Sequence, residues 1–165
     1  MSEKNRVSCS DVGDGEKEAL ANCIDEGFLG MGAETRRFEL ALKKFVDSKL
    51  PPVCVSSGTA ALHVALEALF EGKEGGEILI PSITYLASFQ AALAANLKPI
   101  ACDVDRSTGL IDLADAERRV TPNTQALMHV HYASSNQGYE QVAEFAQKNN
   151  LVLIEDAAHA FGCKS

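Results

Sequence analysis

Short β-rich runs that alternate with helical stretches constrain this chain more than any other feature. The runs occupy 53–56, 77–80, 98–104, 125–131 and 151–155, and helical patterns fill about 59–71, 84–95, 112–120 and 139–149 between them. Strands separated by helices of this length predict right-handed βαβ crossovers onto one mainly parallel sheet with helices on both faces, an α/β architecture. Strands in such a sheet are buried on both sides and lose the alternating pattern, and LVLIE at 151–155 is written that way. Ahead of this region a helical pattern over 14–26 ends at Gly27, and Gly30 and Gly32 follow in a flexible FLGMG segment. A second helix, roughly 34–48, sets Phe38, Leu42, Phe45 and Val46 on one stripe. Pro51-Pro52 halts it. The expected organisation is an N-terminal helix and glycine-rich segment over 1–32 and a larger domain over 33–165.

Composition narrows the function classes. A chain of 165 residues can bury a substantial core. The net charge of −8 and the scattered short basic pairs, such as Arg36-Arg37 and Arg118-Arg119, argue against nucleic acid, whose phosphates select clustered Lys and Arg. Five cysteines (Cys9, Cys23, Cys54, Cys102, Cys163) are odd in number and lack metal-type spacing, which points to a reduced, cytoplasmic setting. MSEKNRVS offers no apolar signal region. The uncharged stretch 78–97 is long enough to span a bilayer, but Pro81, Ser82, Thr84, Ser88, Gln90 and Asn96 make it a strand, a turn and a helix.

Ligands of open α/β sheets bind beyond the carboxyl ends of the strands. Here those ends are polar: 56–59, 81–85, 103–105, 129–132 and 155–159. In VCVSSGTAAL (53–62) the chain turns through Gly58 into a helix whose first N–H groups lack intrahelical partners and can hold an anion. The hydroxyls of Ser56, Ser57 and Thr59 suit the same anion, and they equally suit ordinary helix capping. Asp156 follows LVLIE and has small neighbours, so its carboxylate can approach a ring nitrogen and keep it protonated, as pyridoxal phosphate requires. Tyr85 is the candidate for the ring face. Plainer readings stand beside these: Tyr85 as a core aromatic, Asp156 and Glu155 as capping or solvated acids, His159 as a surface histidine, and His63 as structural. His129 and His131 share one face of a strand. With Asp156 or His159 they suggest a zinc site, though two ligands make a poor metal signature and a packed pair is the more ordinary outcome.

Several motifs in order, GFLGMGAETRRFELAL, VSSGTAALHVAL, ILIPSITYLAS, KPIACDVD, the histidine strand HVH and LIEDAAHAFG, resemble the DegT-type (StrS-like) aminotransferases of the aspartate aminotransferase superfamily. The resemblance runs from about Gly27 to the C-terminus. It implies an incomplete large domain of the aspartate aminotransferase fold, with 33–165 as its cofactor-binding part. It also implies pyridoxal 5'-phosphate as cofactor, and transfer of an amino group, from glutamate, to a keto group on a nucleotide-linked sugar for surface polysaccharide or antibiotic-sugar pathways. Members of this fold place the active site at a dimer interface. Carried over by position, Ser57, Gly58, Thr59 and Ala60 lie at the phosphate, Tyr85 stacks on the ring, Asp156 pairs with its nitrogen, and His159 stands next to the ring hydroxyl.

The resemblance has limits. The family's Schiff-base lysine lies a few tens of residues beyond this Asp, and Lys164 belongs to the loop that follows the motif, so no catalytic lysine is assigned. The chain corresponds to about the first two-fifths of a typical member. It is expected to be inactive alone, and an incomplete sheet is expected to leave an edge that self-associates. A non-catalytic remnant or the partner subunit of a split enzyme is the alternative, and a His-x-His metal hydrolase is a further one. The HYASSNQ segment (131–137) lacks the family's Gly and its acidic, Pro-containing turn, which leaves the sugar open; the sequence also leaves transfer against dehydration open.

Overall fold

A computed structural model describes residues 10–72, 75–135 and 137–163. Cys9, Asn136 and Lys164, named above, lie outside the described residues. The chain divides into two compact units, Met1–Val53 and Cys54–Ser165.

The first unit holds helices α1 (Asp14–Asp25) and α2 (Ala33–Phe45). Glu16 reaches back 2.7 Å to accept the Gly13 N–H, and two acids in the first turn favour the positive end of the helix dipole. Gly27, at φ 70°, follows the helix end. On the α2 stripe Phe38, Phe45 and Val46 are 56%, 59% and 50% exposed and Leu42 is half-buried, and the buried residue of α2 is Glu39. α1 buries none of its own residues.

The second unit runs α3 (Gly58–Phe70), β1 (Glu77–Pro81), α4 (Leu86–Ala94), β2 (Lys98–Cys102), α5 (Leu113–Arg119), β3 (Thr124–Val130), a 3-10 turn (Tyr132–Ser134), α6 (Tyr139–Lys148) and β4 (Val152–Asp156). The strands form a parallel sheet in the order β2-β1-β3-β4. The run 53–56, expected as a fifth strand, forms none. A β-rich run becomes a strand only where a neighbour offers backbone N–H and C=O groups, and this one finds no ladder among the described residues. β2 stops at Cys102, earlier than expected, and Val104 instead bridges Ile111 in antiparallel fashion.

Both faces of the sheet are covered. Ile78, Ile80 and Met128 pack with Leu66 and Phe70 of α3 and the alanines of α4. Leu79 and Leu127, one residue out of phase, pack with Ala116 of α5 and with Val142 and Phe145 of α6. Burying each large side chain of this kind contributes about 1.5–3 kcal/mol. The uncharged stretch 78–97 therefore resolves into β1, a turn and α4, and among the described residues no helix is long and apolar enough to cross a membrane.

The order of strands also locates the site. The chain steps from β1 to β2 on one side, then returns to lay β3 on the other. The connections diverge between β1 and β3, which opens a crevice above their carboxyl ends.

Candidate active site

A cavity of about 250 Å³ opens at that point. Thr84 and Tyr85 reach it from the end of β1, His131 and Tyr132 from the end of β3, and Asp156 and His159 from the end of β4. Tyr85 stands at the N-terminus of α4 with 81% of its surface exposed. Asp156 is half-buried and held at both oxygens: Oδ1 accepts the Ala158 N–H at 3.2 Å, and Oδ2 accepts from the Ser88 hydroxyl at 3.3 Å. Ser88 is fully buried, and its oxygen lies 2.7 Å from Thr84 Oγ1. Tyr132 rests against Gly109, where an added Cβ would sit 2.8 Å from the ring and where φ is +71°. The Ser134 hydroxyl donates to the His159 carbonyl and ties the turn after β3 to the turn after β4.

The start of α3 lies at a different opening. Ser57 caps the helix by accepting the Ala60 N–H at 3.1 Å, and its carbonyl accepts the Ala61 N–H. Gly58 is the first helical residue, and a Cβ there would meet nothing within 4 Å. Ser57, Thr59 and Ala60 line this shallow opening together with His63 and with Gln90 of α4. The structure thus brings Tyr85, Asp156 and His159 into one cavity, while Ser57, Thr59 and Ala60 line a separate opening. His63 faces Glu67 at 3.3 Å on the exposed side of α3. Asp103 and Asp105, polar ends in the sequence, serve turns: Asp105 accepts from the Ser107 and Thr108 N–H groups, and Asp103 from its neighbour Val104.

The histidine pair does share one face, the one covered by α6. The two rings meet edge to face with centroids 4.6 Å apart. His131 Nδ1 lies 3.1 Å from the Ser135 carbonyl oxygen and Nε2 lies 2.9 Å from a Glu155 carboxylate oxygen. His129 is fully buried, and neither of its ring nitrogens has a hydrogen-bond partner among the described residues. Burial first, and the neighbouring charge of His131 second, push its pKa down to about 4. Tyr139 of α6 faces the same group, and the Glu155 carboxylate raises its phenol above the ordinary value. Asp156 leans to the opposite face, toward Ser88 of α4. Among the described residues no cluster of three or more His, Cys, Asp or Glu is placed to hold a metal.

Sequence reasoning passed over Ser88, Thr84 and Glu155 as working parts of this region. A signal for the first two was present: hydroxyls four residues apart on a mostly apolar helical stretch fall on one face and demand a polar partner.

The chain matches the DegT/DnrJ/EryC1/StrS aminotransferase family over residues 10–165. It is 38% identical over 152 residues to GDP-perosamine synthase of Escherichia coli O157:H7, a match that covers 90% of this chain and 41% of that protein. The solved structure of S. venezuelae DesV superposes with a TM-score of 0.82 at 32% identity, covering 90% of this chain and 40% of that one. A GDP-4-keto-6-deoxymannose-3-dehydratase with a trapped PLP-glutamate adduct superposes at 0.87 over 98% of this chain and 43% of its own, a likeness of fold alone at 24% identity. The chain therefore spans about two-fifths of the length of these relatives. Pyridoxal phosphate is the cofactor of the family, and the dehydratase fold neighbours carry it. With a family match along nearly its whole length, this chain belongs to the DegT/DnrJ/EryC1/StrS aminotransferase family.

Proposed function

We propose that this chain is the cofactor-binding part of a pyridoxal-phosphate aminotransferase that acts on nucleotide-linked keto sugars, with glutamate as amino donor, in the cytoplasm and as a dimer. We assign residues 33–165 to the large domain of that enzyme. The similarity to GDP-perosamine synthase supports the sugar class.

What carries the reading is the donor set of the cavity. An exposed tyrosine ring stands beside a carboxylate whose two oxygens are already oriented by Ser88 and Ala158. These parts fit a flat, protonated heteroaromatic ring, and the uncrowded start of α3 fits a phosphate. Pyridoxal phosphate, when bound, supplies an electron-withdrawing ring that stabilises negative charge on the carbon beside the amino nitrogen. Asp156 holds a proton at the ring nitrogen. Tyr85 covers one ring face and excludes water from it. The N–H groups of Gly58 and Thr59, with the Thr59 hydroxyl, hold the phosphate, while Ser57 keeps the helix start in shape and Ala60 leaves room for close approach. His159 orients the ring hydroxyl.

Among the described residues, those that line the cavity include no lysine. We propose accordingly that the chain by itself binds the cofactor without covalent attachment and turns over no substrate. Titration of the purified chain with pyridoxal phosphate, followed by borohydride reduction, tests both statements. Saturable binding that Asp156→Asn weakens, with no adduct at a specific lysine, is expected. Absent or Asp156-independent binding overturns the cofactor reading, and a stoichiometric lysine adduct with turnover overturns the inactivity.

A further inference from the structure

We infer that Ser88 and Thr84 form a hydroxyl relay that positions Asp156 for its ring-nitrogen partner. The inference deepens the cofactor reading and rests on it. Ser88 is fully buried in a helix otherwise rich in alanine, a place where an unneeded hydroxyl carries only a desolvation cost. Its oxygen makes two contacts, 2.7 Å to Thr84 Oγ1 and 3.3 Å to Asp156 Oδ2. A carboxylate can only accept, so Ser88 donates to Asp156, and its own lone pair is left for the Thr84 hydroxyl. The chain of donors then runs one way, Thr84 to Ser88 to Asp156, and each bond polarises the next.

The relay also settles direction. Asp156 ends β4, next to Glu155, whose side chain goes to the other face of the sheet. Ser88 at the start of α4 draws Asp156 Oδ2 to the cavity side, and the Ala158 N–H holds Oδ1. One rotamer is favoured by two donors that belong to different elements. Without Ser88 the carboxylate keeps, among the described residues, only the local contact to Ala158, which its own loop can carry with it.

The test compares two ligands on the full chain: pyridoxal phosphate and its 1-deaza analogue, which has carbon in place of the ring nitrogen. Equilibrium dialysis gives the affinity for each. The unsubstituted chain is expected to prefer pyridoxal phosphate, and Asp156→Asn to abolish the preference. Ser88→Ala is expected to reduce the preference about 5-fold, the net scale of one hydrogen bond, while leaving the analogue's affinity unchanged. Thr84→Val, which keeps shape and removes the donor, is expected to reduce it about 2-fold. A purely structural role for Ser88 weakens both ligands equally, so an unchanged ratio in Ser88→Ala overturns the relay while the cofactor reading stands. No preference in the unsubstituted chain, or a full preference in Asp156→Asn, overturns the assignment of Asp156 and the relay with it.

Discussion

Glu155 and Asp156 are consecutive on β4, yet they serve opposite faces of the sheet: Glu155 accepts from His131 at 2.9 Å, and Asp156 from Ser88 at 3.3 Å. The two-residue period of a strand separates neighbours in this way. Their substitutions should therefore separate as well. Asp156→Asn is expected to weaken pyridoxal phosphate about 10-fold by removing a charge-assisted bond, with little change in melting temperature. Glu155→Ala is expected to leave that affinity within about 2-fold and to loosen the turn held by His131 and Ser135, because rim groups outside the cavity add little to binding. Ligand titration and amide hydrogen exchange over 131–135 distinguish the two.

His129 makes stability depend on pH. Its pKa lies near 4 in the folded chain, against an ordinary 6.5, through burial and the nearby charge of His131, partly opposed by Glu155. Below pH 6.5 the unfolded chain takes up a proton that the folded chain refuses, so stability falls as pH drops from about 6.5 through 4 and levels off below. The total is on the order of 3 kcal/mol. Urea denaturation between pH 7.5 and 4 measures it. His129→Phe, which also removes two unpartnered buried nitrogens, should flatten that part of the curve.

Two positions with positive φ should respond in opposite directions. Gly109 sits at φ +71° with the Tyr132 ring where a Cβ would go, so Gly109→Ala is expected to destabilise by about 1–2 kcal/mol and to displace Tyr132 at the cavity. Ala133, at φ 51°, already carries the strain. Ala133→Gly is expected to stabilise by about 0.5–1 kcal/mol once glycine's extra chain entropy is offset. Thermal unfolding of both variants checks the signs.

The buried Cys102 thiol is pushed up to about 11, chiefly by burial and then by the charge of Asp115. Only the thiolate reacts. Brief alkylation at pH 8 should label the exposed Cys163 and spare Cys102 until the chain is denatured, as peptide mass spectrometry will show.

Much of this molecule was legible before its structure. The order of helices and strands from 58 to 156, the double burial of β1 and the shared face of the histidine pair all follow from patterns spanning a few residues. So did the gathering of Tyr85, Asp156 and His159 beyond the strand ends, because parallel βαβ connections send every carboxyl end to the same side. Another feature was not legible. The run 53–56 has the composition of a strand and forms none. There the local pattern states a capacity, and a pairing strand decides whether it is used.

Sequence alone determined which residues stand at the ends of the strands, since side-chain sterics and backbone hydrogen bonding act over a turn or a pleat. Only the tertiary structure decided what each of those residues touches. Ser88 meets Asp156 across 68 positions of chain, and His131 meets Glu155 across 24. Those meetings depend on strand order and register, which set β4 beside β3 and α4 over one face, and no short stretch of sequence encodes them.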